Sequence, residues 1–191
     1  MRRYRGGMVT RVRTARLEDA GIVSAVAAET FEMACPPSTA PAAIAAFIAE
    51  NLSDARFAGY LSDPERSVIL ADVDGEIAGY TMLIGGEPTD QAVAAAVAGR
   101  PTVELSKCYV RENFHGFGVA SALMTASIEG AERSGAASVW LGVNQQNARA
   151  IRFYEKSGFR KVGVKQFLVG DELHDDFVFE RALALPAPSS E

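Results

Sequence analysis

Apolar and polar residues alternate with a period of two along 8–13 (MVTRVR), the pattern of a half-buried first strand. From residue 18 the period changes. Ile22, Val23, Val26, Ala27 and Thr30/Phe31 recur at helical spacing until Pro36-Pro37 closes the segment. Pro41 suits a first helical turn, and Ile44, Phe47, Ile48 and Leu52 would line one face of a second helix. A shorter element is expected at 57–61, ending at Ser62-Asp63-Pro64. Two β-rich runs, 67–73 and 76–84, flank Asp74-Gly75, whose residues tolerate the positive φ of a tight hairpin turn. The alanine-rich stretch 90–98 reads as a short helix stopped by Gly99, with Pro101 beyond.

The second half repeats this punctuation. A strand is predicted over 102–110 and a helix over 119–133, with Ala120, Leu123, Met124, Ile128 and Ala131 inward. A buried-type strand follows at 138–143 (SVWLGV), then a helix over 147–157 with Gly158 as its C′ residue. Runs 160–169 and 174–182 pair as a last hairpin about Gly170-Asp171. Residues 1–7 read as a flexible leader and 184–191 as a frayed tail, leaving 8–183 as one domain without repeats or an internal linker. The order β-α-α-β-β-β-α-β-α-β-β predicts a single mixed α/β (α+β) domain with a largely antiparallel sheet. Strands 102–110 and 138–143, separated by a crossover helix, are expected to be parallel neighbours.

Composition narrows the function classes. With 191 residues and 48% hydrophobic content, the chain is long enough for one full core and has little room for a second. Nineteen basic against 24 acidic residues give a charge of −5, which does not indicate a nucleic-acid surface. No apolar run approaches the ~20 residues needed to span a bilayer, and no apolar stretch follows the basic N-terminus to make a secretion signal. A cytoplasmic protein without membrane contact is the expectation. Cys35 and Cys108 are too few for a disulfide framework, and no Cys/His cluster suggests a metal.

The chemistry concentrates in 104–123 (ELSKCYV-RENF-HGFGVASAL): a strand, a polar turn, a glycine loop and a helix N-terminus. Such a unit offers free backbone N–H groups to a phosphate-bearing ligand. Taken alone, Gly116-x-Gly118 is also compatible with a simple tight turn. A dinucleotide fingerprint fails, because its third glycine is Ser121 and the next strand carries no Asp or Glu for a ribose. A P-loop fails for want of Gly-Lys-Ser/Thr.

A second block changes the weight of the first. Residues 147–159 fit N-x-x-A-x-x-F-Y-x-x-x-G-F, and His115-Gly116-Phe117-Gly118-Val119-Ala120 fits [Q/R/H]-x-x-G-x-[G/A], about 30 residues upstream. Together they resemble the GNAT superfamily of N-acetyltransferases, from the first strand to the last hairpin. A narrower likeness, carried by Glu29-Thr30-Phe31, by WLGVNQQNARAIRFYEKSGF and by KQFLVGDELHDDFVFERAL, is to the bacterial polyamine (spermidine/spermine) N-acetyltransferase branch.

The resemblance implies acetyl-CoA as co-substrate, a small amine as acceptor, and a parallel strand pair splayed to receive the donor. Backbone groups of Cys108, Tyr109 and Val110 would meet the pantetheine arm and acetyl carbonyl. The amides of His115, Gly116, Phe117, Gly118, Val119 and Ala120, with Ser121 beyond, would hold the pyrophosphate, assisted by the helix dipole. Asn147 would bond the pantetheine amides, and Lys156 would reach a phosphate. Tyr154 is the candidate acid for the departing thiolate, and Glu104 the candidate base, acting through water on an amine whose pKa resembles lysine's ~10.4. Cys108 reads as an acetyl carrier or, more simply, as an inert buried thiol. Asp171, Glu172, Asp175 and Asp176 would attract a polyamine or merely solvate a hairpin tip. His174 carries no functional reading. The family allows a homodimer. Two other classes remain open: a non-catalytic acyl-CoA sensor, and a protein or peptide N-acetyltransferase on the same fold.

Overall fold

In the computed structural model, which describes residues 9–35, 39–169 and 172–184, the patterned stretches become β1 (Thr10–Thr14), α1 (Ala20–Ala34), α2 (Pro41–Asn51), α3 (Asp54–Ser62), β2 (Arg66–Val73), β3 (Glu76–Gly85) and α4 (Gln91–Ala96). They continue as β4 (Thr102–Val110), α5 (Val119–Arg133), β5 (Ser138–Asn144), α6 (Ala148–Lys156), β6 (Arg160–Val169) and β7 (Glu172–Ala182). The strands form one sheet in the order β1-β2-β3-β4-β5-β7-β6. All neighbours are antiparallel except β4 and β5, so the expected mixed domain with one parallel pair is what forms. The leader 1–7, the hairpin turn 170–171 and most of the tail lie outside the described residues.

Each face of the sheet buries its own apolar set. On one face α5 places Leu123, Met124 and Ile128 against Val103, Leu105, Val139 and Leu141, with Ile151 and Phe153 of α6 packed alongside. On the other, Val23, Val26, Ala27 and Phe31 of α1 and Phe57 of α3 cover Val68, Leu70, Tyr80 and Met82. Farther along that second face, Val93 and Val97 cover Trp140 and Val178. A truncation such as Leu123→Ala, at a fully buried position, would cost about 2–5 kcal/mol.

Several expectations need correction. Ile22 is 41% exposed, because the buried stripe of α1 runs through 23, 26, 27, 30 and 31 and leaves 22 at its edge. The element expected at 57–61 is a nine-residue helix, α3, fixed by fully buried Phe57. Gly99 does not stop α4, which is capped at Asp90 by bonds from Ala92 and Val93 and ends at Ala96, with Val97 as its C-cap. A Cβ on Gly99 would lie 2.5 Å from Ser138, so the glycine is there for close approach to β5. Asp74 (φ 53) and Gly75 (φ 92) do make the tight turn their sequence suggests.

Two irregularities position the site. The β4–β5 pairing consists of Thr102↔Ser138, Val103↔Val139 and Glu104↔Trp140, after which the strands separate. Within β4 the register against β3 slips: Leu83 pairs with Leu105 and Met82 with Lys107, leaving Ser106 as an extra residue. Such a bulge bends its strand, increases the local twist and reverses the side-chain alternation beyond it. Glu104, Lys107 and Tyr109 therefore share the α1 face, while Leu105, Cys108 and Val110 share the α5 face.

Candidate active site

Where β4 and β5 part, they leave a slot of about 460 Å³. Glu104–Val110 line one wall and Gly142–Asn144 the other. The slot passes through the plane of the sheet, so side chains from both faces look into it. Tyr154 enters from the α5–α6 side beside Cys108. Glu104, Lys107 and Tyr109 enter from the α1 side, where Thr30, Phe31, Phe47 and Cys35 complete the wall.

Local sequence explains why Tyr154 stands where it does. α6 opens at Asn147, whose side chain accepts from the Ala150 amide at 3.0 Å, and closes with Gly158 at φ +85. The Phe159 amide bonds the Tyr154 carbonyl at 3.1 Å and the Gly158 amide bonds that of Glu155 at 3.0 Å, a Schellman closure that requires the left-handed glycine. The Phe159 and Tyr154 rings meet edge-on at 6.0 Å. Backbone closure and ring contact together hold the phenol against the slot. Its O–H is a hydrogen-bonding neighbour of the Cys108 thiol. Burial pushes the Tyr154 phenol well above its ordinary value, and pushes the Cys108 thiol up to about 12. Both keep their protons through the neutral range.

Glu104 is also shifted upward. Burial is the main cause, opposed by Lys165, Lys107 and Arg66 and by a hydrogen bond with Ser106. The Tyr109 phenol rises to about 12, chiefly through burial.

The glycine loop meets α5 at the end of the slot. Gly116 and Gly118 have φ of +85 and +81, which side-chain-bearing residues adopt only under strain. Of the loop amides, His115 N–H is held by the Glu112 carbonyl at 3.0 Å and Phe117 N–H by that of Phe114 at 3.4 Å, so these two are less available than the motif suggested. The first intrahelical bond is Ala122 N–H to Gly118 O at 3.0 Å, and no side chain caps the helix. Gly118, Val119, Ala120 and Ser121 thus present amides with no acceptor among the described residues, at the positive end of a 15-residue helix.

Side chains in this region divide differently from their amides. His115 and Ala120 line the slot; Val119 is buried in the core, Ser121 is exposed and Phe117 is 48% exposed. Cys108, Tyr109, Val110 and Asn147 also line the slot, but Lys156, at the far end of α6, does not. The Asn147 carbonyl oxygen is occupied by its cap, leaving the amide NH₂ as its free polar group.

Several lining residues escaped the sequence reading. Arg149 donates to His115 Nδ1 at 3.1 Å, and His115 Nε2 lies 2.9 Å from the Val110 carbonyl. A guanidinium only donates and a carbonyl only accepts, so the ring proton sits on Nε2. The imidazole thereby ties the end of β4 to the first turn of α6. Lys107 and Lys165 also line the slot, and so does Asp176, one of the hairpin carboxylates expected to attract a polyamine. Asp175, by contrast, is exposed outside it, while the side chain of Glu172 and all of Asp171 lie outside the described residues. Among the described residues no cluster of His, Cys, Asp or Glu could hold a metal, and no helix is long and apolar enough to cross a membrane.

Strands forced apart at one edge, an amide cradle at the end of the slot and a protonated phenol beside it are the parts of an acyl-transfer domain. The model of the acetyltransferase (GNAT) family matches residues 28–159. An uncharacterised N-acetyltransferase of Mycobacterium tuberculosis is 47% identical over 167 residues, covering 87% of this chain and 99% of its own. An N-alpha-acetyltransferase of Sulfurisphaera tokodaii is 30% identical over 125 residues, 64% of this chain and 73% of its own. Among solved structures, the PaiA N-acetyltransferase of Thermoplasma acidophilum, in complex with coenzyme A, shares the fold with a TM-score of 0.72 at 20% identity, over 92% of this chain and 100% of that one. The chain belongs to the acetyltransferase (GNAT) family. It is an N-acetyltransferase, and the donor used by that family, acetyl-CoA, is the ligand the slot has to fit.

Proposed function

We propose that this protein transfers the acetyl group of acetyl-CoA to a primary amine of a small molecule by direct attack of the amine on the thioester. The observation that carries this reading is the through-sheet slot, with Tyr154 on one side, Glu104 on the other and unbonded α5 amides at its end. The residues suit the donor. A diphosphate fits the Gly118–Ser121 amides, with Arg149 at the rim. The parted edges of β4 and β5 fit an amide-bearing arm, and the Asn147 NH₂ is free to donate to it.

Bound acetyl-CoA supplies an activated carbonyl and a leaving sulfur that needs a proton. Tyr154 holds that proton. The burial that strengthens the phenol's hold on it would strengthen a buried thiolate's demand for it equally, so transfer between them is not lost. On the opposite side Glu104 accepts the amine's proton through water. An ordinary carboxylate is a poor match for an alkylamine, and the upward shift of Glu104 narrows the gap. Cys108, protonated and held by Tyr154, is a poor nucleophile, which favours direct transfer over an acetyl-thioester on the protein.

The polyamine version of this reading has Asp176 in the slot in its favour. Against it, Lys107 and Lys165 line the same space, so carboxylates are not in excess. A protein N-terminus as acceptor draws support from the Sulfurisphaera relative. Homodimerisation, a cytoplasmic location and the 8–183 domain limits are separate proposals, the first tested by light scattering.

The test is CoA release from acetyl-CoA, with product mass, across polyamines, amino acids, aminoglycosides and short peptides, beside acetyl-CoA calorimetry. Acetylated amine with stoichiometric CoA is expected. Tight binding without release on any acceptor would favour an acyl-CoA sensor.

A further inference from the structure

The slot contains a cation that the transfer step does not use. Lys107 stands on β4 opposite Met82, so its stem lies along the α1–α3 core while its head reaches the slot. It faces this way because of the extra residue at Ser106; in regular pairing it would point toward α5. Among the described residues its ammonium has no hydrogen bond and no carboxylate within 4.0 Å.

The neighbouring cations are accounted for. Arg66 is held by Asp63 at 3.0 Å and lies 4.7 Å over the Tyr60 ring. Lys165 stands opposite Asp176 in the β6–β7 register and 5.6 Å over the Trp140 ring. Arg149 is on His115. Burial is the main reason Lys107 holds its proton less tightly; Glu104 opposes this and Arg66 adds to it, both from beyond contact. A half-buried ammonium with no counter-ion in contact is costly for the folded chain. Such a position is explained when a ligand supplies the anion.

We propose that Lys107 binds an anionic group on the acceptor, and that the preferred acceptor is a primary amine that also bears a carboxylate, an amino acid or a similar zwitterion. Its amine would face Glu104 and its carboxylate Lys107. The two side chains are same-face neighbours about 7 Å apart along the strand, a span that suits groups a few bonds apart with water on the Glu104 side. This inference rests on the acetyl-transfer reading of the slot.

The test compares alanine, β-alanine and 4-aminobutyrate with their amides, and with butylamine and spermidine, on the wild type, Lys107→Met and Lys107→Arg. In the wild type, kcat/KM for each acid should exceed that for its amide by about 10- to 100-fold, the worth of a charge-assisted hydrogen bond. Lys107→Met should abolish that preference, leave the KM for acetyl-CoA unchanged and melt no lower than the wild type. On the amides and butylamine it should only move the acid limb to higher pH, because a cation that opposes the upward shift of Glu104 is gone. Lys107→Arg should restore part of the preference. Equal rates on acids and amides, or a preference that survives Lys107→Met, would overturn the proposal. So would an equal loss on every acceptor with a lower Tm, which would make Lys107 a structural partner of Glu104. Calorimetry of 4-aminobutyrate on the CoA-bound protein separates the two readings. Lys107-dependent binding without CoA release would sink the transfer reading alone, and CoA release from amines without Lys107-dependent binding would sink this proposal alone.

Discussion

At one end of the slot β4 runs through Gly116 and Gly118 into α5, and what meets a ligand there is main chain. At the other end, between α1–α2 and the β6–β7 hairpin, what meets it is Glu104, Lys107, Lys165 and Asp176. The two ends carry different constraints. A backbone-built site needs glycines where φ is positive and a helix start with no side-chain cap, whatever the surrounding side chains are. A side-chain-built site needs charges brought from distant elements to one place. The first kind tolerates little change in sequence and suits one shared donor; the second can be reset residue by residue to suit different acceptors.

Three substitutions put weight on that contrast, in falling order of effect. Glu104→Gln at the acceptor end should lower kcat/KM for the amine by about 10²-fold or more. It should also remove the acid limb of the pH profile, which in the wild type lies above the ordinary glutamate value because burial raises Glu104. The stability effect has the opposite sign. Folded Glu104 binds its proton more tightly than the unfolded chain does, so stability declines as pH rises from about 4.5 through the raised value. Glu104→Gln should therefore melt slightly higher at neutral pH, as calorimetry would reveal.

At the donor end, Gly118→Val forces a side chain into a left-handed conformation costing about 1–2 kcal/mol. If relaxation of that strain displaces the α5 amides, the KM for acetyl-CoA should rise about ten-fold, with the Lys107-dependent acid/amide preference intact. A loss confined to the amine would put the donor elsewhere.

Outside both ends, Asp19 accepts two 2.7 Å bonds from Arg13, which together with the Arg16 amide hold its carboxyl down at about 2. The stability it contributes is fully present above the unfolded value of 3.8 and is lost as pH falls through about 2. Asp19→Asn should cost about 1–2 kcal/mol at neutral pH in urea titrations, with kcat and both KM values unchanged.

The contrast also explains what could be read from the residues alone. β4 and α5 form over the stretches their patterns predict, and the tight turn at 74–75 and the C′ glycine at 158 are where the local chemistry puts them. These features are written in neighbouring residues. The bulge at Ser106 is not: Leu105-Ser106-Lys107 reads as ordinary alternation, and only the pairing with β3 reveals that Lys107 has turned to the Glu104 face. Arg149 was invisible for the same reason, since its partner His115 is 34 residues away. Lys156, expected to reach a phosphate, does not line the slot, while Gly99 was explained by a helix stop and is explained instead by its approach to Ser138. Periodicity carries elements and backbone sites well, and charges that converge only after the sheet has closed hardly at all.

In the proposed transfer, a proton held on Tyr154 leaves with the sulfur. Steady-state CoA release by the wild type and Tyr154→Phe, with acetyl-CoA and the best amine each varied, tests it most directly. The expected result is a fall in kcat of about 10²- to 10⁴-fold with the KM for acetyl-CoA nearly unchanged. An unchanged kcat, or a loss carried by the KM for acetyl-CoA alone, would contradict it.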